Sequence, residues 1–104
     1  MKQLNEITVN VPTLNEEKNI FNCIHSIKKS GIKNIIVIDG GSSDKTLEIL
    51  KSQKVKYFIA KNKGLAFQRA LGIKKTKTKY VALIDADHRP TKKSFLLMLT
   101  DLKN

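Results

Sequence analysis

Cysteine is nearly absent from this chain: Cys23 is the only one in 104 residues, which excludes an internal disulfide and any zinc site built on several cysteines. Its neighbours Ile20, Ile24 and Ile27 stand at helical spacing, so Cys23 reads as a small core residue rather than a nucleophile. Long apolar runs are missing too. No stretch approaches the roughly 18 residues needed to cross a bilayer, and the start MKQLNEITV lacks the apolar centre of a signal peptide. A cytoplasmic chain is expected, or one peripheral to the inner face of the membrane. Aromatics are few, with four Phe, two Tyr and no Trp, and the arginines are Arg69 and Arg89 alone. Base stacking and bidentate base readout are therefore poorly supplied, and with no nucleic-acid module in sight nucleic acid is not expected as a partner.

Acids are scarce as well, nine against twenty Lys and Arg, for a net charge of +11. The imbalance is one-sided: residues 1–50 hold equal numbers of acids and lysines, so the whole excess lies in residues 51–104. Such a half attracts anionic substrates or an anionic lipid or membrane surface, although part of the excess is a solvated lysine surface. With 40% hydrophobic and 28% charged residues, the chain suits one globular domain over 1–104 that buries more than roughly 60% of its unfolded surface.

The sharpest local feature is Ile84, Asp85, Ala86, Asp87, two carboxylates one residue apart where the apolar run Tyr80 to Ile84 ends. On a continuing strand they point to opposite faces, but a turn just after Ile84, as Arg89 and Pro90 suggest, lets both reach one cation. Two aspartate oxygens suit Mg²⁺ or Mn²⁺, which keep waters and share their shell with substrate phosphates. The bland alternative is that Asp85 ends the strand while Asp87 serves the turn before the last helix. His88 is a candidate to join a metal or phosphate site; His25, without a ligand partner at helical spacing, reads as a surface side chain.

Periodicity orders the rest. Strands are expected at Ile7 to Val11, Asn34 to Ile38, Val55 to Ala60 and Tyr80 to Ile84. Helices are expected after Asn15 as cap, with Ile20, Ile24 and Ile27 inward; after Ser43 or Asp44; after Gly64, with Leu65, Ala66, Ala70 and Ile73 inward; and after Thr91, with Phe95, Leu96, Met98, Leu99 and Leu102. Alternation of strand and helix predicts an α/β fold: a Rossmann-like parallel sheet of about four strands with helices on both faces. Ligands in such sheets bind beyond the carboxyl ends of the strands, where Pro12 to Glu17, Asp39 to Asp44, Lys61 to Gly64 and Asp85 to Pro90 all fall.

Four of these segments carry a resemblance. PTLNEE (Pro12 to Glu17), DGGSSDKT (Asp39 to Thr46), GLAFQRALG (Gly64 to Gly72) and DAD (Asp85 to Asp87), in this order, resemble the motifs of family 2 glycosyltransferases of the GT-A fold. The resemblance spans essentially the whole chain but only the front of the family's domain, whose members continue through an acceptor-binding half. It implies a donor-binding domain, truncated relative to the family, that serves transfer of a sugar from a UDP- or GDP-sugar to a saccharide or lipid phosphate. It further implies that Pro12, Asn15, Glu16 and Glu17 wall the nucleoside, that Asp39 accepts from the base with Gly41 allowing close approach, and that Arg69 lies near base or phosphates. Asp85 would lie near ribose and metal, and Asp87 would ligate the Mn²⁺ or Mg²⁺ that bridges the diphosphate. Repulsion agrees: a carboxylate about 5 Å from a phosphate charge is opposed by roughly 3 kcal/mol at an effective dielectric near 20, so two aspartates facing a diphosphate want a cation.

Each residue also has a plainer reading. Asp39 can close an Asx turn, Glu16 and Glu17 can serve a helix dipole, and Arg69 can be a surface arginine. Two departures from the family pattern stand out: Gly40 where members often have a further aspartate, and Ala70 where asparagine commonly follows the arginine. No general base is evident either, since Asp101 is the sole acid after Asp87; a phosphate acceptor, already ionised, would relax that need. Whether the chain is an enzyme by itself stays open. The alternatives are a non-catalytic nucleotide- or phosphate-binding module, and a receiver-like regulatory domain, which lacks its acidic pair after the first strand. An open sheet edge predicts a homo-oligomer.

Overall fold

The computed structural model describes residues 2–96, so Met98, Leu99, Leu102 and Asp101 lie outside the described residues. A short 3₁₀ turn, Lys2–Glu6, leads into β1 (Ile7–Thr13), followed by α1 (Ile20–Lys29), β2 (Asn34–Asp39), α2 (Thr46–Ser52), β3 (Lys56–Ile59), α3 (Leu65–Lys75) and β4 (Tyr80–Leu83). A last helix opens at residue 92. Thr91 caps it as expected, its hydroxyl accepting from the Ser94 amide while the Ser94 hydroxyl accepts from the Thr91 amide.

All four strands are parallel, in the order β3-β2-β1-β4. The chain thus winds outward from β1 to β3 and then returns to the other side of β1. This reversal puts a crevice at the carboxyl ends of β1 and β4. Pro12 sits inside the central strand without breaking it. The Asn10 carbonyl accepts from the Ile84 amide on the β4 side, so Pro12, two residues on, turns its missing N–H to that same side, past the last β4 pair, Asn10 with Leu83.

The two faces of the sheet differ in chemistry. On one, Ile7, Val9 and Val11 of β1 and Ile35 and Val37 of β2 pack against Ile20, Cys23, Ile24 and Ile27 of α1, Leu50 of α2 and Phe95. Each such aliphatic side chain, once buried, contributes about 1.5–3 kcal/mol. On the other face, Thr8 and Asn10 meet the α3 region through polar contacts: the Thr8 and Thr78 hydroxyls are 2.6 Å apart and the Thr76 hydroxyl donates to Asn10 Oδ1 at 3.4 Å. Here α3 comes very close to the sheet. A Cβ on Gly72 would stand 2.7 Å from Asn10 Nδ2 and 3.3 Å from an Ile38 side-chain carbon.

Two helix expectations are corrected. Leu65, Ala66, Ala70 and Ile73 are all exposed, and the inward positions of α3 are Gln68 and Gly72. The sheet lies too close to α3 here for aliphatic side chains: Gly72 stands against Asn10 and Ile38, and the Gln68 amide donates to the Thr13 and Ile38 carbonyls. Nor does Asn15 cap a helix at Glu16, for α1 opens only at Ile20, after a turn in which the Glu16 carbonyl accepts from the Asn19 and Ile20 amides.

Candidate functional site

Asn15 acts instead as a staple between two loops. It adopts a left-handed conformation at φ 55°, which asparagine tolerates better than most residues, and its Oδ1 accepts from the Ser43 amide at 2.8 Å and the Asp44 amide at 3.3 Å. Its own amide donates to the Ser42 hydroxyl. The next two residues continue the tie, the Glu16 amide donating to Thr46 Oγ1 and the Glu17 amide to Asp44 Oδ2. Asp44 Oδ1 also accepts from the Thr46 amide and hydroxyl, capping the start of α2. Desolvation pushes the Asp44 carboxyl upward, but the bonds from Thr46 and Glu17 outweigh it and hold the group below its ordinary value of 3.8.

Asp39 is fully buried, and its four lone-pair positions are taken from within. Oδ1 accepts from the Thr13 hydroxyl at 2.8 Å and the Ser42 hydroxyl at 2.6 Å, while Oδ2 accepts from the Gly41 amide at 2.9 Å and the Ser42 amide at 2.7 Å. The Asx-turn reading describes this geometry, and the carboxylate has no free acceptor for a base.

Between these loops, α3 and the end of β4 lies a cleft of about 400 Å³, inside the roughly 300–1,000 Å³ range of small-ligand sites. Pro12, Glu16, Gly41 and Asp85 line it, together with Gly40, Lys63, Gly64 and Gln68. Gly41 has φ 103°, and nothing stands within 4 Å of where its Cβ would be, so its backbone is open to a ligand. Asn15, Glu17 and Asp39 shape the surrounding loops and do not line the cleft.

Gln68 escaped the sequence reading. The signal was the four-residue ladder Gly64, Gln68, Gly72, which marks the helix face of closest approach better than the aliphatic positions do. A hollow of similar size between β3 and α3, lined by Phe58, Ile59, Phe67, Leu71 and lysine stems, has no acid to offer.

At the far end of the cleft the chain turns directly after β4, the His88 amide donating to the Asp85 carbonyl at 2.9 Å. This turn brings one ligand atom each from Asp85, Asp87 and His88 within 4.8 Å of one another, all three side chains exposed. Ligands on one octahedral Mg²⁺ are about 3–4 Å apart, so small side-chain rotations suffice for a shared ion. Arg69 approaches from α3, its guanidinium 3.7 Å from Asp85 Oδ1. Both partners are largely exposed, which makes the pair a positioning contact with little effect on stability. Beneath the turn the Cys23 thiol lies 3.8 Å from the Asp85 carbonyl. Burial above all, then Asp87, Glu16 and Asp85 against the opposing pull of Arg89, push that thiol up to about 11, so it stays protonated. Ala70 is exposed and away from the cleft, so the second departure leaves the cleft unchanged; the first, Gly40, lies in its wall.

A parallel sheet with its switch-point cleft beside a carboxylate pair defines the class, and solved structures agree. Over 93% of this chain and 32% of theirs, residues 1–349 of TarS from S. aureus superpose with a TM-score of 0.81 at 23% identity, which shows the GT-A fold. Glucosyl-3-phosphoglycerate synthase from Mycobacterium tuberculosis, solved with Mn²⁺, UDP and glucosyl-3-phosphoglycerate, matches with a TM-score of 0.76 at 25% identity, covering 92% of this chain and 39% of that one. The sequence profile of glycosyl transferase family 2 matches residues 8–104, and the chain belongs to that family. An uncharacterized protein of Methanocaldococcus jannaschii is 43% identical over 93 residues, and an uncharacterized glycosyltransferase of Rickettsia conorii 38% over 88. These alignments take in 82% and 79% of this chain but only 37% and 15% of the relatives, so the chain spans well under half the length of either.

Proposed function

We propose that this chain is the donor-binding part of a glycosyltransferase, holding a nucleoside-diphosphate sugar in the cleft with its diphosphate toward Asp85 and Asp87. The observation that carries the reading is the meeting of Asp85, Asp87 and His88 at the mouth of a switch-point cleft, with Arg69 alongside. The donor set fits a divalent cation: two carboxylate oxygens suit Mg²⁺ or Mn²⁺, and the added imidazole nitrogen favours Mn²⁺. When bound there, such a cation would offset the diphosphate charge and assist departure of the nucleoside diphosphate. The solved relative that carries Mn²⁺ together with UDP supports this reading by analogy.

The protein's own groups divide the remaining work. Arg69 orients the Asp85 carboxylate and brings positive charge to the diphosphate end. Gly41 lets the nucleoside approach backbone, Pro12 and Glu16 form the opposite wall, and Asn15, Glu17 and Asp39 hold the loops that present them. Direct contact of Asp39 with a base would require it to give up an internal donor, so in this reading Asp39 shapes the loop. An acceptor that arrives ionised, such as a lipid phosphate, would need no general base from the protein.

At the amino ends of the strands a hollow lined by Lys28, Lys33, Lys54, Lys56, Lys75 and Lys77 contains no acid, and we assign to it any contact with an anionic lipid surface. No helix among the described residues is long and apolar enough to cross a membrane.

Calorimetric titration with UDP and GDP, with and without Mn²⁺, tests the donor site. Metal-dependent binding of one nucleotide that Asp87→Ala abolishes is the expected result; binding that ignores both metal and substitution would sink the proposal. Metal-dependent binding without any transfer or donor hydrolysis would favour the non-catalytic module.

A further inference from the structure

The wall of the cleft at Gly40 holds an acceptor that the fold itself does not use. Gln68 is 5% exposed, and its Nε2 donates to two main-chain carbonyls at once, Thr13 and Ile38, each at 2.9 Å. Only a nitrogen can face two carbonyls, so the amide cannot flip and its Oε1 is fixed as the opposite end. Among the described residues no donor reaches Oε1. Residue 40 is the reason this end can be reached. A Cβ there would lie 3.1 Å from the Gln68 Cδ and Oε1 and 3.2 Å from Nε2, directly over the amide, and glycine leaves that space empty. Gly40 and Gln68 line the same cleft as Asp85.

We infer that Gln68 Oε1 reads the nucleobase of the donor, accepting the ring N–H of a base that carries one between carbonyl-bearing or amino-bearing carbons: N3–H of uracil or N1–H of guanine. The inference rests on the proposed nucleotide-sugar site and names its substrate class. The equivalent ring nitrogens of cytosine and adenine are bare acceptors. They would set lone pair against lone pair in a pocket whose amide cannot turn round. The loop end of the cleft, around Gly40, thereby receives the base, and the diphosphate extends toward Asp85 and Asp87. Gln68 is a specificity residue in this scheme and takes no part in bond breaking.

The test alters the ligand before the protein, which removes folding as a confounder. With Mn²⁺ present, calorimetry compares UDP with N3-methyl-UDP, GDP with N1-methyl-GDP, and both parents with CDP and ADP. The expected result is that the parent that binds does so about tenfold or more tighter than its N-methyl form and than CDP and ADP. Gln68→Met, which keeps length and loses the acceptor, should bind the parent and its methyl form within about twofold of each other. Equal binding of parent and methyl forms by the wild type overturns the inference while leaving the nucleotide site intact. So does a methyl penalty that persists unchanged in Gln68→Met with its thermal midpoint preserved, because the methyl group then clashes elsewhere. Binding of no nucleoside diphosphate at all overturns the inference together with the site on which it rests.

Discussion

Asp39 ends β2 and Asp87 follows β4, yet their surroundings assign these two aspartates opposite work. Asp39→Ala leaves the buried Thr13 hydroxyl and the partly buried Gly41 and Ser42 donors without their acceptor, and at about 1–3 kcal/mol for each uncompensated buried group, eased by solvent access to the Gly41–Ser42 loop, we expect a loss of about 3 kcal/mol. Asp39→Asn should lose only about 1 kcal/mol, since its Oδ1 can keep the Gly41 and Ser42 amides while the Thr13 and Ser42 hydroxyls rotate to accept from the new NH₂. Asp87→Ala, at an exposed turn, should leave the unfolding midpoint unchanged. Denaturant titration of the three variants checks the series, and an Asp39→Ala protein as stable as wild type would refute the structural role. The sequence alone could not order these roles. Both residues carry the same carboxylate in the same type of position, and only the count of internal donors, which depends on how the Ser42 loop folds back, separates them.

At the scale of elements, alternation of apolar runs disclosed the strands and their parallel arrangement, because the face of β1 and β2 toward α1 is filled by aliphatic side chains. The same reasoning failed on α3, where the facing sheet surface, Thr8 and Asn10 of β1 with Ile38 of β2, lies so close that the inward residues are Gln68 and Gly72. Gly72→Ala tests this close packing. Its Cβ would intrude to 2.7 Å of a buried amide nitrogen, so we expect a loss of about 1–3 kcal/mol, read by thermal denaturation; Ala is otherwise the better helix former, and a gain in stability would show that α3 can move away from the sheet.

The tie between the loops after β1 and β2 has a pH signature. Because Asp44 is held below its ordinary value, its contribution is fully present above the normal carboxylate range and is lost as pH falls through the depressed value. The difference in midpoint between wild type and Asp44→Asn should therefore be largest near about pH 6 and shrink below about pH 4. A difference that stays constant across that range would mean that the Asp44 charge does not hold the tie.

For the molecule as a whole, the sheet formed by the described residues ends in β3 on one side and β4 on the other, each of four residues. Near these edges Ile59, Phe67 and Leu83 are about half exposed, as are Leu65 and Ile73 of α3. Unpaired strand edges next to exposed apolar side chains favour pairing with another chain. The charge of +11 opposes it, and Lys56 lies on the β3 edge itself. Which effect wins depends on ionic strength, because repulsion between surface charges is felt over roughly 10 Å at 0.1 M salt and only about 3 Å at 1 M, whereas apolar contact does not weaken with salt. Sedimentation velocity of the 104-residue chain should show a monomer at low salt and a growing dimer fraction as salt rises. Replacing Ile59 and Phe67 by Lys should keep the chain monomeric throughout. If the wild type stays monomeric at every salt concentration, short lysine-bearing edges are enough by themselves to block pairing, and the apolar side chains around them do not drive self-association.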